Sequence, residues 1–180
     1  AQQVGQSVFG DNCATCHGTG GTGAKGYPNL RDDVWLHGGS LEQIEHTIRV
    51  GVRTGVGDAQ ASRMPAFGRD GILQPTQVAD LTEYVVSLSG RRADSAAVGR
   101  AAVLYAHNCA SCHGVEGKGD VTMGAPDLTD GEWLYGGDRE AITAQINNGK
   151  NGVMPTWASR FDAATIKALA VYVHANAGGQ

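Results

Sequence analysis

The sequence predicts an all-α protein made of two tandem copies of one domain, residues 1–92 and 93–180. Three observations predict it. Apolar residues recur at helical spacing, and no segment reads convincingly as a strand. The second half repeats the motifs of the first in the same order. All four cysteines fall in two C-x-x-C-H units, Cys13 and Cys16 with His17, and Cys109 and Cys112 with His113.

The duplication is direct. VFGDNCATCHG aligns with LYAHNCASCHG, YPNLRDDVWLHGG with APDLTDGEWLYGG, and IEHTIRVG with ITAQINNG. MPAFG aligns with MPTWA, and LTEYVVSL with LAVYVHAN. The main length difference is an insertion around Thr54–Ala61 in the first copy. The repeat is too long for a solenoid. The polar, small-residue stretch SGRRADSAA, Ser89–Ala97, is the expected join.

Each copy opens with a short helix that runs into its C-x-x-C-H unit. A second helix opens at Ser40, where Ser40 and Gln43 form a capping-box pattern, and stops at Gly51. It places Leu41, Ile44 and Ile48 on one face. Its twin opens at Asp138, carries Ile142 and Ile146, and stops at Gly149. The last helix of the first copy carries Val78, Leu81, Val85 and Leu88, with Gly90 after it. In the second copy Asp162 caps a helix bearing Ile166, Leu169 and Val173. Phe9 and Tyr105 on the first helices, with Tyr84 and Tyr172 on the last, mark where first and last helices cross. Gly5 and Ala101, one turn earlier, allow the close approach.

Composition bounds the function. Hydrophobic residues make up 41% and charged residues 18%, which suits a globular chain. With 27 glycines and few aromatics, the core is thin, and a bound cofactor would supply missing apolar bulk. A net charge of −4 argues against a nucleic-acid footprint. No run of about 18 apolar residues is present, so these residues do not span a bilayer. No signal peptide is visible, which fits a mature or trimmed form.

Four cysteines admit two disulfides, but none lies outside the paired units. Structural zinc sites separate their C-x-x-C pairs by about 12–20 residues, far less than the gap from Cys16 to Cys109. A thioredoxin-like redox motif needs a βαβ setting that the chain does not offer. C-x-x-C-H is the attachment signature of c-type haem. Cysteines at i and i+3 on a helical turn face the same way, so each thiol can add across one porphyrin vinyl group. The adjacent histidine can then reach the iron. Two such units in matching repeats predict two covalently attached haem c groups.

Each iron needs a second axial ligand or an opening. Met64 and Met154 begin the repeated Met-Pro pairs. Proline biases the preceding residue toward an extended loop, as a strap holding a thioether at the iron would require; core filling is the alternative. Met123 faces Lys25 in the alignment and reads as packing or a haem-edge contact. His37, His46, His107 and His174 have no histidine twin and read as surface residues. His/Met ligation raises reduction potential and leaves no position for a substrate, which suits electron transfer. Carbonyls near Pro28 and Pro126 are expected to accept the N–H of His17 and His113. Trp35 and Trp133 either cover a haem edge, bond a propionate through the indole N–H, or simply pack. Arg69 and Arg160 follow the Met-Pro loops, where propionate pairing or plain exposure are the choices.

With these residues in place the chain resembles class I cytochrome c written twice. More narrowly, P-x-L-x-D-x-x-W-L-x-G-G, I-x-x-x-I-x-x-G and NGVMP resemble the dihaem subunit family of cbb3-type cytochrome c oxidase, CcoP or FixP, over about residues 4 to 175. The resemblance implies two class I cytochrome c folds. It assigns Cys13, Cys16, His17 and Met64 to one haem, and Cys109, Cys112, His113 and Met154 to the other. It also implies a periplasmic location facing the inner membrane. The role would be to relay electrons from a donor c-type cytochrome toward other oxidase subunits, with oxygen chemistry elsewhere. That family is tethered by an N-terminal membrane helix, and none is present here. The chain then reads as the soluble part of a longer protein or as a free relative, reaching the membrane only through a tether or partner subunits. A free dihaem carrier similar to cytochrome c4 is one alternative; a dihaem enzyme or gas sensor with one open iron is another. No acid–base constellation or nucleophile supports catalysis within the chain.

Overall fold

The computed structural model describes residues 1–176. Among the described residues the regular structure is helical, and β-structure is confined to isolated bridges. Helices α1 (Gln2–Asn12) and α2 (Ala14–His17) are followed by α3 (Leu41–Val50) and α4 (Pro75–Leu88). The second copy supplies α5 (Ser95–Asn108), α6 (Ala110–His113), α7 (Arg139–Asn148) and α8 (Ala163–Asn176).

The local signals act where the chemistry places them. Ser40 Oγ accepts from Gln43 N–H and Gln43 Oε1 accepts from Ser40 N–H, closing the capping box of α3. Asp138 caps α7 through Ala141 N–H at 2.8 Å, and Asp162 takes Thr165 N–H at 2.8 Å at the start of α8. Gly149 ends α7 in the left-handed region, where a side chain would be strained.

The compact units do not follow the two sequence copies expected at 1–92 and 93–180. One unit joins Ala1–Ser62 to the described residues from Gly152 onward; the other is Arg63–Asn151. Each Met-Pro strap and last helix therefore packs on the opening helices of the other copy. The expected join at Ser89–Ala97 lies inside the second unit, where Asp94 caps α5 and Arg91 reaches Gly137 O at 2.5 Å. The physical reason is the duplication itself. Trp157 N–H bonds Ile48 O at 3.2 Å in one unit, and the twin Phe67 N–H bonds Ile146 O at 3.1 Å in the other. Equivalent surfaces accept equivalent straps, so exchange preserves the local contacts.

In the first unit α8 packs against α1 and α3. A Cβ on Gly5 would overlap Ala168 O and stand 2.5 Å from Tyr172 Cβ, so only glycine admits this crossing. The rings of Phe9 and Tyr172 meet at 5.4 Å. Ile44, Ile48, Trp157, Ile166 and Leu169 complete the cluster.

In the second unit α4 packs against α5 and α7. Tyr84 stacks on Tyr105 at 4.7 Å, and fully buried Ala101 lies one turn before Tyr105. The buried Thr82 hydroxyl is satisfied by Val78 O at 3.0 Å and Thr143 Oγ1 at 2.9 Å. Arg100 holds Asp80 through two hydrogen bonds, and Arg139 holds Glu83 likewise, tying α4 to α5 and α7.

Candidate haem centres

Both C-x-x-C-H units adopt the same local geometry. The long first helix breaks at Cys13 or Cys109, and a single turn follows. Cys13 O accepts from Cys16 N–H at 3.2 Å and His17 N–H at 2.9 Å; Cys109 O accepts from Cys112 and His113 at 3.1 and 2.9 Å. All four cysteines are unpaired. Burial, reinforced by the second cysteine of each pair, pushes the Cys13 and Cys109 thiols up to about 11. No group of three or more His, Cys, Asp or Glu able to hold a metal ion occurs among the described residues.

The loop after each histidine turns back on it. Gly23 N–H bonds His17 O at 2.8 Å, and Gly119 N–H bonds His113 O at 2.8 Å. Both glycines have positive φ, and a Cβ would stand 2.7 Å from Pro28 C at one and 2.6 Å from Pro126 C at the other. That close approach places Pro28 O 3.0 Å from His17 Nδ1, and Pro126 O 3.0 Å from His113 Nδ1. A carbonyl only accepts, so Nδ1 carries the hydrogen and the Nε2 lone pair is left for a metal. Burial lowers the pKa of His113, against the raising effect of the Pro126 hydrogen bond.

The methionines are distributed differently from the resemblance-based assignment. Met154 packs in the first unit, in the cluster that Cys13, Ala14 and Trp35 also border. Met64 packs in the second, against the cluster bordered by Cys109, Ala110 and Trp133. The expected pairing of Met64 with His17 and Met154 with His113 is therefore corrected: the straps change places, because each travels with its last helix. Met154 exchanges backbone hydrogen bonds with Val52, N–H to O at 3.2 and 2.9 Å. Met64 is gripped by Asn151 instead, whose amide accepts from Met64 N–H at 2.8 Å and donates to Met64 O at 3.0 Å.

The W-L-x-G-G segments have a packing reason. A Cβ on Gly39 would lie 2.7 Å from Trp35 Cδ1, and one on Gly137 would lie 2.5 Å from Trp133 Cδ1. The indole edge therefore rests on the glycine backbone, beside the cluster that holds the cysteine and methionine. Arg91 covers Trp133, its guanidinium carbon 5.4 Å from the ring centroid. Arg160 lies over Trp157 in the same manner, while Arg69 pairs with Asp70 at 3.1 Å on the surface.

Sequence reasoning missed three residues here. Arg53 and Asn151 occupy matching positions, two beyond the glycine that ends the second helix of each copy. Arg53 has φ of 57°, alone among the described non-glycine residues in being positive. Its guanidinium donates to Ser62 O at 2.8 Å and Gly152 O at 2.7 Å, two residues before Met154. The third is His37, read from sequence as a surface residue. Its Nδ1 is buried with no hydrogen-bond partner among the described residues. Burial, then the Arg53 guanidinium, lowers its pKa from 6.5 to about 4. The folded state thus binds this proton less tightly than the unfolded chain. The resulting stability is present above pH 6.5 and is lost as the pH falls toward 4. His37→Gln is expected to flatten the acid limb of stability by about 2 kcal/mol, checked by denaturant midpoints near pH 7 and about pH 4.5.

These features fit a porphyrin in each unit: two unpaired thiols on one turn, an imidazole oriented through Nδ1, and a thioether and an indole packed against the cluster that the first cysteine borders. In the first unit the buried orphan nitrogen of His37 adds a polar group for an acidic edge of such a ligand.

Comparison with known proteins agrees with that fit. Residues 96–173 match the family described as cytochrome c oxidase, cbb3-type, subunit III, and residues 2–89 match the cytochrome c family. The protein has two cytochrome c domains in sequence, and such domains carry covalently bound haem c. The chain is 52% identical to the cbb3-type cytochrome c oxidase subunit FixP of Bradyrhizobium sp. (strain ORS 278), covering 100% of this chain and 62% of that protein. It is 49% identical to subunit CcoP of Azospirillum brasilense, covering 100% and 63%, and 47% identical to CcoP of Cereibacter sphaeroides, covering 100% and 62%. The chain thus spans a little over three-fifths of the length of these relatives. No helix among the described residues is long and apolar enough to cross a membrane.

Proposed function

Since this chain belongs to the CcoP/FixP family of cbb3-type cytochrome c oxidase subunits, we propose that it relays electrons between two closed haem irons. The relay runs from a donor c-type cytochrome toward the other oxidase subunits, on the periplasmic side. Cys13 and Cys16 would hold one haem through thioethers, with His17 and Met154 as the side chains offered to its iron. Cys109 and Cys112 would hold the other, with His113 and Met64. When bound, each haem supplies a one-electron ferric–ferrous couple.

The carrying observation is the repeated set in each unit: a histidine with Nδ1 3.0 Å from a proline carbonyl, and a Met-Pro methionine bordering the same cluster as the first cysteine. The protein's own residues perform four tasks. The proline carbonyls orient the imidazoles and increase their donor strength. The straps hold the thioethers, and the apolar clusters exclude water. If His17 with Met154 and His113 with Met64 hold the two irons, no position would remain for a substrate, which suits an electron carrier and places oxygen reduction elsewhere.

A mass spectrum together with the pyridine haemochrome is expected to count two covalent haems per chain. The reduced protein should then bind no carbon monoxide at either iron. Rapid uptake at one iron would replace this reading with an enzyme or a gas sensor.

A further inference from the structure

Gln145, in the last turn of α7, directs its side-chain amide at a methionine sulfur: its Nε2 lies 3.5 Å from Met64 Sδ. The same nitrogen donates to Lys150 O at 3.0 Å. That second bond settles which end of the amide faces the sulfur. Lys150 O only accepts, so the amide nitrogen must face it, and the remaining N–H then points at Sδ. The amide oxygen is left buried without a partner among the described residues, which costs stability.

The repeat supplies an internal control. Thr47 stands at the matching position of α3. Among the described residues no side chain donates to Met154 Sδ, and Met154 is held through its backbone by Val52. The two otherwise parallel centres differ at this atom.

We propose that Gln145 is a positioning residue that raises the reduction potential of the haem ligated by Met64, and of that haem only. This rests on the ligand sets given under the proposed function. A thioether sulfur bonded to iron retains one lone pair. An N–H aimed at that lone pair puts positive charge beside the metal and draws density from the sulfur. Both effects are less favourable when the iron is ferric, so the ferrous form is favoured. The centre with Thr47 lacks this contribution.

The test uses the dihaem protein with Gln145→Thr, which installs the twin's residue, and Gln145→Glu, which keeps the size but removes the donor. Potentiometric titration followed at the haem bands reads both midpoints, and the methionine-to-iron charge-transfer absorption reports ligation. Both variants are expected to retain that absorption at both irons. One midpoint should move down, corresponding to about a two- to fivefold lower ferrous-to-ferric ratio at fixed potential for Gln145→Thr. The carboxylate should move it further. The other midpoint should not move. Two unmoved midpoints with ligation intact, an upward shift, or equal shifts at both haems would overturn the proposal. Failure of the underlying ligand sets has a different signature: Met64→Ala with the charge-transfer absorption intact at both irons.

Discussion

Met64→Ala is expected to open the iron attached at Cys109 and Cys112, and Met154→Ala the one attached at Cys13 and Cys16. Each variant should lose the methionine-to-iron charge-transfer band at one haem, gain carbon monoxide binding there, and lower that haem's potential while the thioethers keep it in place. The site is identified in a single-haem background. With Cys13 and Cys16 replaced by serine, only the haem at Cys109 and Cys112 remains. There Met64→Ala should abolish the band and Met154→Ala should leave it. The reverse result would restore the pairing within each sequence copy. The expectation follows from the packing, which sets Met64 against the cluster bordered by Cys109 and Met154 against the one bordered by Cys13. The effect is large because a lost ligand changes the spin state and the potential together.

Gly5→Ala is expected to destabilise the protein by about 2–3 kcal/mol, since the added methyl must displace the backbone of α8 at Ala168. A methyl group added at Gly10, on the same helix, would meet nothing within 4 Å. Gly10→Ala should stabilise by about 0.5–1 kcal/mol through helix propensity alone. Thermal or denaturant unfolding of the two variants checks the contrast. A harmless Gly5→Ala would mean that α1 and α8 do not cross as described. Because α1 begins the first copy and α8 ends the second, this pair also tests the exchange of last helices.

Much of the fold was legible because its signals are local. The Ser40–Gln43 box, the Asp138 and Asp162 caps and the glycines after α3 and α7 act through neighbours a few residues away. The histidine support was legible for the same reason: His17 and Pro28, like His113 and Pro126, are joined by one short glycine-containing loop. The crossing of first and last helices was legible as a type of contact, since Gly5 and the paired aromatics announce it. Which first helix meets which last helix was not. His37 was misread because its burial depends on segments remote in sequence, including the Arg53 loop. Gln145 and Asn151 carry no sequence signal beyond that of polar residues near a helix end. Their role depends on Met64, which lies 81 and 87 residues away along the chain.

The sequence by itself determined the helices and the duplication, and it marked the two C-x-x-C-H units and the four axial candidates, since each is written in short-range spacing. Only the tertiary structure decided that the straps change partners, and that Met64 Sδ meets an amide donor while, among the described residues, Met154 Sδ does not. Two copies with interchangeable contact surfaces look the same to any pattern read along the chain. The choice between them lies in the path that the backbone takes through space.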